Sequence, residues 1–207
     1  MGSLGGVPLS RIEFVVRCRK TPVDPKQFLD GIDQDAHVEF IPGMIINALF
    51  IANGHRQDVS LHLVLEKTQD YSRVLTFDGE HLGNLGGFTE AALLASCASA
   101  LSEGRGLGKE EGLTAGNGIT VTAKSFERLM DELMQDSPAY LLDPKGEALS
   151  TIAPIESGVF VLTDQLAMPK NAQKGLVRKG CKLISLGKRV LFASQCISLI
   201  HGATALD

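Results

Sequence analysis

Tryptophan is missing from the 207-residue sequence, which has two tyrosines and nine phenylalanines, so the core has to be built mainly from aliphatic side chains. Long apolar runs are missing too. The longest, Phe40 to Ala52, is interrupted by Pro42, Gly43 and Asn47 and falls short of the roughly 18 residues that a spanning helix needs. The first ten residues, MGSLGGVPLS, lack a basic segment and an apolar stretch of signal-peptide type. They read as a flexible arm or a cloning remnant ahead of one domain over residues 11–207. Cysteines at 18, 97, 181 and 196 form no C-x-x-C pair, which argues against a zinc site and a disulfide scaffold and makes a reducing cytoplasm the expected location. There is no heptad, G-X-Y period or internal repeat. With 44% apolar and 21% charged residues the chain has the composition of an ordinary globular domain.

Several functional motifs fail by a residue or by context. A dinucleotide fingerprint would need glycine at 109 after Gly104 and Gly106, where Lys109 stands, and the run follows a helical pattern instead of a strand. A phosphate-binding P-loop would need glycine five residues before Gly108-Lys109 or Gly187-Lys188, where Glu103 and Lys182 stand. His37, His55, His62, His81 and His201 show no H-E-x-x-H or paired spacing, so no metal is expected. Ser185-x-x-Lys188 fits the short S-x-x-K pattern of serine acyl transferases, a weak signal that leaves a serine hydrolase as the third-ranked reading.

Charge is unevenly distributed. Residues 1–164 hold 13 Lys/Arg and 23 Asp/Glu, whereas residues 165–207 hold seven Lys/Arg and only Asp207. A basic terminal quarter on an acidic body is what an edge facing a polyanion such as RNA requires, and equally what a solvated helix face displays.

Strands and helices alternate. Arg11–Arg17, Val59–Leu65, Val74–Phe77, Ile119–Thr122, Ala139–Leu142, Val159–Thr163 and Lys182–Leu186 read as strands from their β-branched and apolar content. A loop is expected from the TPVDP turn to about Glu39. Helices are expected from Pro42 to Asn53-Gly54, from Thr89-Glu90 to Gly104, from Ser125, over about Asn171–Lys179 and over about Val190–His201. This alternation predicts an α/β fold with a mostly parallel sheet and flanking helices.

The terminal segments GVFVLTDQLAMP and KLISLGKRVLFASQCISLIH resemble the end of SPOUT-class RNA methyltransferases. Upstream, RIEFVVR, DAHVEFIPGMIINALFIANGHRQDVSLHLVL and FDGEHL resemble the TrmY family of that class, the archaeal tRNA pseudouridine N1-methyltransferases. The resemblance extends over almost the whole chain from Arg11 and rests on the order and spacing of many short matches. It implies a C-terminal trefoil knot, S-adenosylmethionine as cofactor, RNA as substrate with tRNA foremost, and a homodimer without membrane or metal.

Carried over residue by residue, the resemblance places the cofactor against Leu142, Thr163, Asp164, Ser185, Leu186, Gly187, Leu191 and Cys196. Archaeal members carry Gly-Arg-x-Asp where this sequence reads Ala36-His37-Val38-Glu39, so His37 and Glu39 become the expected catalytic pair. The family's H-N-x-L-D ending is stretched here to His201 through Asp207, without the asparagine. Both departures suggest a bacterial-type branch. Arg178, Lys179, Lys188 and Arg189 are the expected RNA contacts, the last two at a helix start, where the macrodipole disfavours cations and a phosphate would offset the cost. The alternative is an RNA- or nucleotide-binding module that kept the fold and lost catalysis.

Overall fold

The computed structural model describes residues 11–204; the N-terminal decapeptide and the last three residues lie outside that range. The chain runs β1 (Ile12–Pro22), α1 (Pro25–Asp30), a 3-10 turn (Val38–Phe40), α2 (Ile41–Leu49), β2 (Phe50–Ile51), β3 (Gly54–His55), β4 (Val59–Lys67) and β5 (Arg73–Asp78). It continues through α3 (Glu90–Glu103), β6 (Gly112–Thr114), β7 (Thr120–Ala123), α4 (Phe126–Asp136), β8 (Ala139–Ala148) and α5 (Leu149–Ile152), then β9 (Gly158–Thr163), α6 (Lys170–Arg178), β10 (Lys182–Ser185) and α7 (Ala193–His201).

Eight strands form one sheet in the order β10-β8-β9-β1-β4-β5-β7-β6. Central β1 pairs in parallel with β4 from Ile12↔Val59 and with β9 from Ile12↔Gly158, and β8 pairs in parallel with β9 and β10. β1 and β4 are apolar on both faces because both are covered. Phe14 and Val16 pack with α2, α3 and α7, while Val15 packs with Phe126 and Met130 of α4 and Leu176 of α6, the pattern expected of a parallel strand between two helical layers.

The mostly parallel sheet agrees with expectation, but β5, β7 and β6 join antiparallel. Only residues 68–72 separate β4 from β5, too few for a parallel crossover, which needs a dozen or more. Other boundaries differ as well. The expected loop before Glu39 contains α1, whose N-cap Asp24 accepts from the Lys26 and Gln27 amides, an arrangement already spelled by Asp-Pro. α2 stops at Leu49, and where Asn53-Gly54 is expected to close it, Ala52-Asn53 turns the β2-β3 hairpin and Gly54 pairs with Ile51. β8 reaches Ala148, and α7 starts three residues later than expected. Thr89 and Ser125 cap α3 and α4 through the Ala92 and Arg128 amides, as anticipated.

Candidate cofactor and active site

Three parallel strands end side by side, and the loops leaving β8, β9 and β10 enclose a cavity of about 490 Å³. The carboxyl ends of parallel strands are where an open α/β sheet leaves a ligand crevice. Leu141, Leu142, Asp143 and Pro144 form one wall, Leu162 to Met168 a second, and Leu186, Gly187 and Arg189 to Leu191 a third. Lys170 and Gln173 of α6 and Ala193 and Cys196 of α7 complete it.

β8 makes this possible by leaving the ladder. It pairs with β10 at Tyr140 and Leu141, then again at Glu147 and Ala148, so the residues between loop out. The loop returns at Gly146, where a side chain would collide with the backbone of Leu183 and Ile184. Asp143 fixes its shape by accepting from the Lys145 amide (2.8 Å) and from Gln173 Nε2 (2.6 Å).

Seven of the eight expected cofactor residues line this cavity: Leu142, Thr163, Asp164, Leu186, Gly187, Leu191 and Cys196. Ser185 does not. Its Oγ accepts from the Gly187 amide (3.1 Å) and lies 3.4 Å from the Pro144 carbonyl, so it ties two walls together. With no basic side chain among the hydrogen-bond partners of that hydroxyl, the serine hydrolase reading lacks an activated nucleophile. Gly187 has φ +110° with open space around it, so its requirement is conformational rather than steric. Burial pushes the Cys196 thiol up to about 11, which leaves it an apolar lining group.

His37 stands outside the cavity wall but touches it. Its backbone is left-handed (φ 59°), and its Nδ1 lies 3.2 Å from Asp164 Oδ2. The Asp164 side chain is only 1% exposed, and its other oxygen accepts from the Leu166 amide (3.1 Å), which shapes the β9 loop. Asp164 therefore faces the cavity and holds the imidazole at once. Glu39 follows in the 3-10 turn, with Oε2 buried and without a hydrogen-bond partner. It does not cap α2, whose N-cap is Phe40 with no side-chain capping bond. The Phe40 ring stacks on Phe192 ahead of α7, centroids 5.4 Å apart.

The expected RNA contacts are not brought together. Lys188 and Arg189 lie in the loop before α7, whose first residue is Ala193. The macrodipole cost inferred for them therefore disappears, since it acts only within the first turn. Arg189 lines the cavity. Arg178 and Lys179 sit at the other end of α6, and Lys179 is ion-paired with Asp131 of α4. Asp143, Leu166 to Met168, Lys170 and Gln173 were missed. The Asp-Pro-Lys-Gly turn marked the first, whereas which side of α6 faces the cavity is set by packing alone.

A family profile described as "Putative SAM-dependent RNA methyltransferase" matches residues 12–206. The chain belongs to this family. Similar members include proteins named "Putative pseudouridine methyltransferase" from Vibrio parahaemolyticus serotype O3:K6, 45% identical over 91% of this chain and 94% of the relative, and from Shewanella frigidimarina, 44% identical over 91% and 95%. Among solved structures, Archaeoglobus fulgidus Nep1 bound to S-adenosylhomocysteine superposes with a TM-score of 0.59 at 11% identity, covering 94% of this chain and 96% of that one; the two share a fold. As a family member the protein is an S-adenosylmethionine-dependent RNA methyltransferase. Its cavity fits that cofactor, with leucine side chains on three walls to enclose an adenine and Asp143, Gln173, Lys170 and Arg189 at hand for its polar groups, within the volume range of small-ligand sites. Among the described residues no His, Cys, Asp and Glu cluster is suited to a metal, and no helix is long and apolar enough to cross a membrane.

Proposed function

We propose that the protein methylates N1 of a pseudouridine in RNA, tRNA foremost, with the methyl donor held in the cavity between the β8, β9 and β10 loops. The carrying observation is Asp164, one carboxylate facing the cavity and bonded to His37 on its far side. When bound, the cofactor supplies an already activated methyl group on a sulfonium. The chain's task is therefore to align the acceptor and take its proton.

Leu142, Leu186 and Leu191 would pack the adenine, and backbone groups around Thr163 and Gly187 would hold its edge. Asp164 accepts a hydrogen bond from His37 Nδ1–H, which makes Nε2 the acceptor nitrogen, 3.7 Å from Asp35 Oδ1. As N1 takes up the methyl group and the sulfonium leaves as a neutral thioether, the N1 proton would pass to His37 Nε2 or to Glu39. The buried, unpartnered Glu39 oxygen is costly unless something hydrogen-bonds it, and a base N–H is such a partner.

The same reading includes the trefoil knot, a homodimer and a cytoplasmic location. Val190, Phe192 and Leu199 are exposed apolar residues in and just before α7, which suits a dimer contact there. The four free cysteines suit a reducing compartment. Incubation with labelled S-adenosylmethionine and paired RNAs, identical except for uridine or pseudouridine at one position, tests the function. Label should appear as N1-methylpseudouridine in the second RNA alone. Cofactor binding without transfer to either RNA would favour the non-catalytic binding module.

A further inference from the structure

Ion pairing divides the molecule as sharply as net charge does. Of the 13 Lys/Arg residues in 11–164, seven pair with carboxylates: Arg11, Arg17, Lys20, Arg73, Arg105, Lys124 and Arg128. Of the seven in 165–204, only Lys179 does, and that segment contains no acidic residue at all. Three of its unpaired cations, Lys170, Lys174 and Arg178, are exposed at i, i+4 and i+8 along α6, opposite buried Leu176. Like charges at this spacing destabilise a helix, and Lys170 also stands at the positive end of the dipole, where no acidic residue of the first turn compensates. Arg178 gains from the negative end of the dipole in the last turn, but none of the three has a carboxylate partner among the described residues.

The stripe is continuous with the cavity, because Lys170 also lines it. From Lys170 to Arg178 it covers about 12 Å of helix axis, long enough to follow consecutive phosphates of one strand.

We propose that this edge of α6 is the track for the RNA backbone leaving the target nucleotide, with Lys174 and Arg178 binding phosphates and Lys170 marking where the strand enters the cavity mouth. The inference rests on the RNA methyl-transfer reading and replaces Lys179, which Asp131 holds, with Lys170 and Lys174.

The test is the full chain carrying Lys174→Glu and Arg178→Glu, both outside the cavity, measured against a pseudouridine-containing stem-loop RNA over a salt series. A control carries Lys26→Glu and Lys109→Glu, two exposed and unpaired cations of the body with the same change in net charge. The α6 variant should bind S-adenosylhomocysteine like the wild type, lose at least tenfold in RNA affinity at 0.1 M salt and flatten the salt slope by about 1.4, the value for two lost phosphate contacts. The control should keep the wild-type slope. Equal losses in the two variants, or an unchanged slope in the α6 variant, would overturn the track. So would a loss of RNA binding accompanied by a changed oligomeric state, which would assign the stripe to contact between copies. Wild-type protein that methylates RNA while the α6 variant is unaffected sinks the track alone; wild-type protein that binds no RNA sinks the function as well.

Discussion

His37 Nδ1 and Asp164 Oδ2 meet at 3.2 Å across 127 residues of chain. One residue precedes the 3-10 turn before α2 and the other follows β9, so their contact ties the start of α2 to the cavity wall. Asp164→Asn keeps the shape but removes the charge that fixes the imidazole tautomer. Turnover at saturating cofactor and RNA is expected to fall about 100-fold, within the range for lost acid–base assistance, while S-adenosylhomocysteine affinity changes little. Single-turnover kinetics beside calorimetry separates the two. A lowered melting temperature with intact turnover would make the pair a fold contact only.

Glu39→Gln distinguishes chemistry from architecture. Because the carboxylate neither caps α2 nor hydrogen-bonds through Oε2, removing its charge should leave the melting temperature unchanged or raise it. Turnover should fall with cofactor affinity retained. A drop in melting temperature with full activity would return Glu39 to a structural role.

Two glycines beside the cavity should respond differently to alanine. At Gly146 a Cβ meets the Leu183 and Ile184 backbone, and such overpacking costs about 1–3 kcal/mol or more. Gly146→Ala should therefore melt earlier even without ligand. At Gly187 the space is open and only the positive φ is unfavourable, so strain of about 1–3 kcal/mol should be relieved by local rearrangement of the loop. Gly187→Ala should show weakened S-adenosylhomocysteine binding with a smaller loss in melting temperature. Thermal melts with and without ligand check both.

Acid should loosen the contact between α7 and α2. His201 donates from Nε2 to the Ala48 carbonyl (3.0 Å) and packs edge-on against Phe14. Burial first, then the charge of Arg56, lowers its pKa from 6.5 to about 4. The unfolded chain therefore binds this proton first, and stability is lost as pH falls from about 6.5 to about 4, with no further loss below. In His201→Phe the melting temperature should decline less steeply across that window than in the wild type. Parallel slopes would remove His201 from the acid response.

Much of this could be read from the residues. The strand-forming segments around Leu142, Thr163 and Leu186 marked three loops, the resemblance to the SPOUT class put the cofactor on them, and seven of the eight expected residues share a cavity there. What stayed hidden depended on distance or on weak local signals. Nothing near His37 in sequence announces Asp164. Gln173 reaches Asp143 only because Leu176 fixes how α6 is rotated. Lys188 and Arg189 were assigned to a helix start because Phe192 offers no capping side chain to mark the true boundary. The three-residue strand β6, Gly-Leu-Thr, carries no pattern of its own and exists through its pairing with β7.

The order of the sheet also has a consequence during synthesis. Among the described strands β1 is made first, yet one of its two neighbours, β9, is made last but one. Until residues 158–163 emerge, Ile12–Arg17 has one open edge, with its backbone amides and carbonyls unpaired along a strand rich in Val, Ile and Phe. Such an edge templates association between nascent chains. A chain cut short before Gly158 would therefore lose the cofactor cavity and also leave its own centre as an exposed margin, so truncated products should collect in aggregates rather than as soluble fragments.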